Sequence, residues 1–241
     1  MFNEAIEILK VNADKLNIQL SQEQLEKFRI YLDFLLLYNE HTNLTAITEP
    51  NQVVTKHFLD SLLLTKTVKF VENSSLVDIG TGAGFPGVPV KIACPEIKLS
   101  LIDSLNKRLV FLSKLSEKLQ LDYEVIHKRA EECGKDVNYR EKFDFVTSRA
   151  VASFNVLAEY CMPYVKVGGK FVALKGPNVE EELNNAKDAI TKLGGKIIGK
   201  QFFDLPDGSG KRNIIIIEKV RKTPLEYPRQ GVKIAKNPNI F

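Results

Sequence analysis

The 241-residue sequence predicts an α/β domain with a doubly wound, mostly parallel sheet, preceded by a helical extension. Three observations carry this. From Leu76 onward, short β-rich runs alternate with helical patterns, as in a parallel sheet covered on both faces. The last two runs are separated only by Asp204–Lys211, which contains Pro206, Asp207, Gly208 and Gly210. That is turn chemistry too short for a crossover helix, so the last strands form an antiparallel pair. Before Leu76 the chain reads as helices joined by a polar connector.

The elements follow in order. Ser21 with Gln24 three residues on is a capping box. Leu25, Phe28, Leu32, Leu35 and Leu36 then recur at helical spacing, so a helix is expected to reach Tyr38. His41–Thr48 reads as a polar connector. A further helix starts after Pro50, with Val53, Val54, His57, Phe58, Ser61 and Leu62 on one face. Strands are expected at Ser75–Ile79, Lys98–Asp103, Tyr123–His127, Phe143–Thr147, Gly169–Leu174, Gly195–Phe202 and Asn213–Val220. Helical patterns at Asn106–Leu119 and Phe154–Tyr160 lie between them. The chain therefore divides into a helical extension (1–66), an α/β domain (67–219) and a tail (220–241).

Composition excludes several classes. Hydrophobic residues at 44% and charged residues at 27% are globular values. The longest apolar runs, Phe34–Tyr38 and Ile214–Ile217, fall far short of a membrane helix. Met1–Lys10 carries Glu4 and Glu7 and has no apolar core of a signal peptide. Cys94, Cys133 and Cys161 are three in number and lack CxxC spacing, so reduced thiols in a cytoplasmic protein are expected, with no zinc site. The net charge of +4 is unevenly spread. Residues 211–241 hold Lys211, Arg212, Lys219, Arg221, Lys222, Arg229, Lys233 and Lys236 against Glu218 and Glu226. A basic tail suits a polyanion, and its distance in sequence from the segment below predicts that it acts independently of that site.

The most informative stretch is Leu76–Gly87, where a strand runs into glycines and then a helix. Glycines allow positive φ and close approach of a ligand, and the helix start offers free N–H groups. A dinucleotide fingerprint fails when read from Gly80, because the sixth position is Phe85. It fits formally from Gly82, as Gly82-x-Gly84-x-x-Gly87, with Pro86 inside the turn. The alternative, Asp78-x-Gly80-x-Gly82-x-Gly84, lies at the strand end and resembles motif I of class I S-adenosylmethionine-dependent methyltransferases. Asp103 ends the next strand 23 residues after Gly80, where a carboxylate can accept both hydroxyls of a ribose. It fits NAD and S-adenosylmethionine equally. As a plain structural residue it would instead cap the helix that follows.

Several segments together resemble one family. They are Tyr38-Asn39 with Asn43–Ile47, Lys56–Ser61, Asp78–Gly87, Asp103–Arg108, Arg129-Ala130-Glu131, Ser148–Ala152 and Leu174-Lys175-Gly176. The chain is similar, from about Phe34 to the tail, to the bacterial 16S ribosomal RNA guanine-N7 methyltransferases, also called the glucose-inhibited division protein B family. The resemblance implies the seven-stranded class I methyltransferase sheet with an antiparallel last strand. It implies S-adenosylmethionine as cofactor and 16S rRNA in the small ribosomal subunit as partner. It also implies that Gly80 and Phe85 line the cofactor site, that Ala130 and Glu131 lie against the adenine, and that Arg149 sits at its mouth. Together with the glycine loop and Asp103, this makes Asp78, Gly80, Gly82, Gly84, Phe85, Asp103, Ala130, Glu131 and Arg149 the expected cofactor residues, in a monomer with no membrane association.

The motifs that are missing narrow the chemistry. Amino-group methyltransferases resemble one another in an Asn/Asp-Pro-Pro-aromatic tetrad, and Thr147-Ser148-Arg149-Ala150 stands in its place. Cytosine-C5 methylation needs a cysteine nucleophile, and neither Cys94 nor Cys161 has such a setting. Guanine N7 carries an in-plane lone pair and no proton, so it needs positioning and electrostatic management but no general base. Arg149 and Lys175 are candidates for positioning the substrate. His57 is read either as a contact to RNA or cofactor or as a packed histidine. Asn39 and Asn43 are read either as closing the site or as a local turn. Two other functions stay open: an NAD-dependent oxidoreductase on the shifted glycine register, and an RNA-binding protein that keeps the fold without the chemistry.

Overall fold

The computed structural model describes residues 2–149, 152–177, 179–206, 208 and 210–239. Ala150 and Val151 of the Ser148–Ala152 motif, and Asp207 of the hairpin turn, lie outside the described residues. Helices α1 (Phe2–Lys15) and α2 (Gln22–Thr42) come first. A short α3 (Pro50–Val53) runs through a π-helical turn (Val54–Leu59) into α4 (Asp60–Thr67). The α/β order follows as β1 (Ser75–Ile79), α5 (Gly87–Ala93), β2 (Lys98–Asp103), α6 (Asn106–Leu119), β3 (Glu124–His127), α7 (Ala130–Cys133), β4 (Phe143–Arg149) and α8 (Phe154–Cys161). It ends with β5 (Val165–Lys175), α9 (Glu180–Lys192), β6 (Gly195–Asp204), β7 (Lys211–Lys219) and α10 (Gly231–Lys236).

The seven strands lie in the order β3-β2-β1-β4-β5-β7-β6. Pairing is parallel from β3 to β5, and β7 is antiparallel to both β5 and β6. Side chains alternate between two cores. Leu76, Val172 and Leu174 face one; Val77, Ile79, Phe171 and Ala173 face the other. The first core is shared with Leu25, Phe28, Tyr31, Leu32 and Leu35 of α2, whose spacing puts them on one buried stripe.

In the helical extension two helices differ from the sequence expectation, each for a local reason. Helix α2 runs four residues past Tyr38, because Asn39 turns inward and Asn43 closes the helix in the left-handed region (φ 50). The helix expected after Pro50 is interrupted by the π turn, whose Lys56 carbonyl accepts a hydrogen bond from Arg149 Nη1 at 3.0 Å. Such turns mark functional positions in helices. The capping box forms as expected: Gln24 N donates to Ser21 Oγ at 3.2 Å, and Ser21 N donates to Gln24 Oε1 at 2.8 Å. Among the described residues no helix is long and apolar enough to cross a membrane.

Candidate active site

The site sits at the carboxyl edge of β1, β2, β3 and β4, where ligands bind in open α/β sheets. The loop after β1 is held from beneath. Gly80 N and Thr81 N donate to Ile102 O at 2.9 and 3.1 Å. Asp78 is fully buried, and its Oδ2 accepts from Thr81 Oγ1 at 2.8 Å and Gly87 N at 3.0 Å. Burial, opposed by those hydrogen bonds, pushes its carboxyl up to about 6. Gly80, Gly82 and Gly84 all have positive φ (69, 62 and 100), which is why the loop is glycine-rich.

A cavity of about 510 Å³ opens above the loop. Gly80, Gly82, Phe85, Asp103, Ala130, Glu131 and Arg149 line it. Asp78 and Gly84, also expected at the cofactor, do not line it. Asp78 braces the loop from below, and Gly84 packs on Tyr31 and Val88, 2.8 Å from where a Cβ would stand. Asp103 does two jobs at once. Its Oδ1 accepts from Leu105 N at 2.9 Å, a turn-forming bond before α6, while its Oδ2 accepts from Gly82 N at 3.0 Å and Arg108 Nη1 at 3.1 Å.

The opposite wall comes from the helical extension. The His57 ring stacks on Phe85 with centroids 4.5 Å apart. His57 Nδ1 accepts from Arg149 Nη2 at 3.0 Å, so Nε2 carries the proton and donates to Thr45 Oγ1 at 2.9 Å. Burial, then the Arg149 charge, pulls its pKa down to about 3, so the ring is neutral. Asn39 ties down the loop that carries Thr45: its Oδ1 accepts from Leu44 N at 2.6 Å and Thr45 N at 3.0 Å. Asn39 and Asn43 form the local turn, which places Leu44 and Thr45 in the cavity wall. His57 is packed within the helical unit and also lines the cavity.

Arg149 is immobilised. Besides Lys56 O and His57, it pairs with Asp60 Oδ2 at 3.1 Å, and its guanidinium lies 5.0 Å from the Phe85 ring centre. Asp60 Oδ1 accepts from Arg212 Nε at 2.9 Å, so one buried carboxylate holds two arginines. A second cavity, about 520 Å³, adjoins the first across His57 and Arg149. Lys56, Lys175, Arg212, Asp60 and Glu182 line it. Lys175 thus stands in the second cavity, with Nζ 2.7 Å from Glu182 Oε2 and donating to Ala152 O at 2.9 Å. Asp60, inside the Lys56–Ser61 segment, and Arg212, counted with the basic tail, carry no site role in the sequence reading. The available signal was an acid inside the apolar run Phe58–Leu64, which a helix buries only if it is paired.

The first part of the tail is packed on the body. Arg229 donates through N, Nε and Nη2 to the fully buried Glu159, at 2.7, 2.9 and 2.7 Å. Arg140 donates to the carbonyls of Thr223, Pro224 and Tyr227. Lys222, Lys233 and Lys236 remain exposed.

A glycine loop braced by a buried acid, a second acid at the end of β2 and a lone antiparallel β7 define a class I methyltransferase domain. Solved structures agree on the fold. A class I S-adenosylmethionine-dependent methyltransferase from Listeria monocytogenes matches with TM-score 0.58 at 17% identity, over 82% of this chain and 71% of that one. A methyltransferase from Pyrococcus furiosus matches with TM-score 0.54 at 18% identity, over 80% and 98%. At the sequence level, the family described as rRNA small subunit methyltransferase G matches residues 24–207. The protein of that name from Alkaliphilus metalliredigens is 46% identical over 232 residues, covering 96% of this chain and 97% of that one. Its counterpart in Acetivibrio thermocellus is 49% identical over 232 residues, covering 96% and 95%. The chain belongs to the rRNA small subunit methyltransferase G family. These findings favour methyl transfer over the oxidoreductase and the non-catalytic RNA-binding protein.

Proposed function

We propose that this protein acts as a cytoplasmic monomer and methylates N7 of a guanine in 16S ribosomal RNA, using S-adenosylmethionine. The observation that carries the reading is the pair of adjoining cavities, one walled by the glycine loop and Asp103, the other basic, divided by the fixed His57–Arg149 pair.

The first cavity fits the cofactor. Its volume suits a nucleoside-sized ligand. Gly82 borders it with nothing within 4 Å of where a Cβ would stand, so a ligand can approach its backbone. Gly80, Gly82 and Phe85 would hold the cofactor at the loop, Asp103 its ribose, and Ala130 and Glu131 its adenine. When bound, S-adenosylmethionine supplies an electrophilic methyl group on a sulfonium.

The second cavity fits a nucleotide. Lys56, Arg149, Lys175 and Arg212 outnumber Asp60 and Glu182 in its lining, so the cavity carries a net positive charge toward flanking phosphates even with Lys175 and Arg212 paired to those acids. N7 faces the deep groove of an A-form duplex, so the target base must be splayed out to enter. Arg149 and His57 stand at the junction and orient the base. Neither is a free base: the His57 ring is neutral with both nitrogens engaged, and Arg149 is held by Asp60. With the two groups at the junction engaged in this way, the arrangement suits a nucleophile that has no proton to lose. The test is mapping of N7-methylguanosine in 16S rRNA from cells with and without the protein. The reading requires one such position to vanish and to be restored in vitro by the purified protein. An unchanged methylation map sinks it.

A further inference from the structure

We propose that the C-terminal segment Thr223–Gly231 is a positioning element of the cofactor site, acting through Glu131. The proposal rests on the reading of the first cavity as the S-adenosylmethionine site. It reverses the expectation that the tail works independently of that site.

The segment is bolted to the body at several points. Lys219, fully buried at the end of β7, donates through Nζ to Met162 O at 2.6 Å and Thr223 Oγ1 at 2.7 Å. Thr223 N donates to Glu141 Oε1 at 2.8 Å, and Thr223 Oγ1 to Leu193 O at 2.7 Å. Arg140 Nη1 links the segment to α7, donating to Tyr227 O at 2.8 Å and to Gly134 O at 3.0 Å. The Glu159–Arg229 pair closes the run. A buried carboxylate with three donors on it is costly to leave unpaired, so this pair fixes the path of the chain.

That path ends against α7. Pro228 packs on Gly134, 3.3 Å from where a Cβ there would stand. The Ala130 carbonyl accepts from Tyr164 Oη at 2.6 Å, a further tie that holds α7 in place. The decisive contact is Gly231. A Cβ at Gly231 would stand 2.2 Å from Glu131 Oε1 and 3.0 Å from Glu131 Cδ. The glycine therefore leaves the space that the Glu131 carboxylate fills. Glu131 and Arg129 belong to two cavities, the cofactor cavity and a third of about 690 Å³ bounded by Lys135, Arg229, Gly231 and Ala235. Glu131 thus spans the two cavities, with its carboxylate against Gly231 on the side of the third. A side chain at 231 displaces a flexible carboxylate end rather than backbone, so it moves Glu131 without breaking the fold.

The experiment uses the full-length protein and titrates S-adenosylhomocysteine calorimetrically against wild type, Gly231→Ala, Glu131→Ala and the double variant, with thermal unfolding of each. Wild type binds. Gly231→Ala weakens binding about tenfold, the scale of a lost hydrogen bond to a charged group, with an unchanged melting temperature. In turnover, the KM for S-adenosylmethionine rises while the KM for RNA and the saturated kcat hold. The double variant binds no more weakly than Glu131→Ala alone, because both changes act on one group. Wild-type affinity in Gly231→Ala overturns the inference and leaves the cofactor reading intact, as do additive losses in the double variant. No binding by wild type overturns the cofactor reading, and this inference with it.

Discussion

The glycine loop after β1 and the π turn that carries His57 meet at Phe85, yet they are assembled differently. The loop is made by consecutive residues whose backbone conformation is the functional feature, and its braces, Asp78 and Asp103, sit at the ends of paired strands. The opposite wall is made by side chains brought together over long separations: Arg149 reaches Lys56, His57 and Asp60, and Arg212 reaches the same Asp60. The first wall is defined by φ angles and close approach; the second is defined by which charge finds which partner in the folded core.

The largest expected effect tests how uniform the loop is. Its three glycines share positive φ but not surroundings. At Gly84 an added Cβ would meet Tyr31 Oη at 2.8 Å, Val88 Cγ2 at 2.8 Å and Leu112 Cδ2 at 3.0 Å. Backbone strain and overpacking together cost about 2–6 kcal/mol. At Gly82 the space is open, so only the strain applies, ~1 kcal/mol. Gly84→Ala is expected to lower the denaturation midpoint sharply, and Gly82→Ala to keep its fold while losing cofactor affinity. Equal destabilisation by the two changes would mean that the loop responds as one uniform unit.

Asp103→Ala comes next. If the carboxylate holds a ribose, its removal costs ~2–3 kcal/mol of cofactor binding by loss of charge-assisted hydrogen bonds. Gly82 N and Leu105 N also lose an acceptor, so a small stability loss accompanies it. Titration of S-adenosylhomocysteine reads the first effect and urea unfolding the second. An unchanged affinity would reduce Asp103 to its turn before α6.

The same division explains what the sequence disclosed. Strand–helix alternation, the antiparallel end of the sheet, the loop and Asp103 follow from local patterns, and the structure reproduces each. Strand ends drifted: β4 extends to Arg149 and β5 starts at Val165, because ladder pairing continues past the apolar runs. Asp78 and Gly84 belong to the motif yet stand behind the cavity, a distinction of depth that spacing does not encode. Asp60 with its two arginines, and Glu159 with Arg229, join residues 70 to 152 positions apart, and nothing local at either end announces its partner. The basic count of the tail is legible as composition, but that one of its charges, Arg229, is spent on a buried acid is not.

The smallest effect sets one group from each wall against the other through pH. Asp78, on the loop side, is raised to about 6 by burial, so between roughly 4 and 6 the folded state binds its proton more tightly than the unfolded state does. Its contribution to stability is fullest at low pH and is lost as pH rises through about 6. His57, on the helical side, is lowered to about 3, so between 3 and its ordinary value near 6.5 the unfolded state binds the extra proton. Its contribution is fullest above about 6.5 and falls as pH drops below that. The slopes are each at most ~1.4 kcal/mol per pH unit and opposite in sign, so in wild type they offset one another from about pH 4 to 6. Asp78→Asn leaves the His57 term alone, and stability then falls faster on acidification than in wild type. His57→Gln leaves the Asp78 term alone, and stability falls more slowly. Urea midpoints at pH 4.5, 5.5 and 7, chosen to span that window, read the difference. Parallel pH profiles for all three proteins would show that neither burial is felt as a proton affinity, and the contrast between the two walls would then be one of geometry alone.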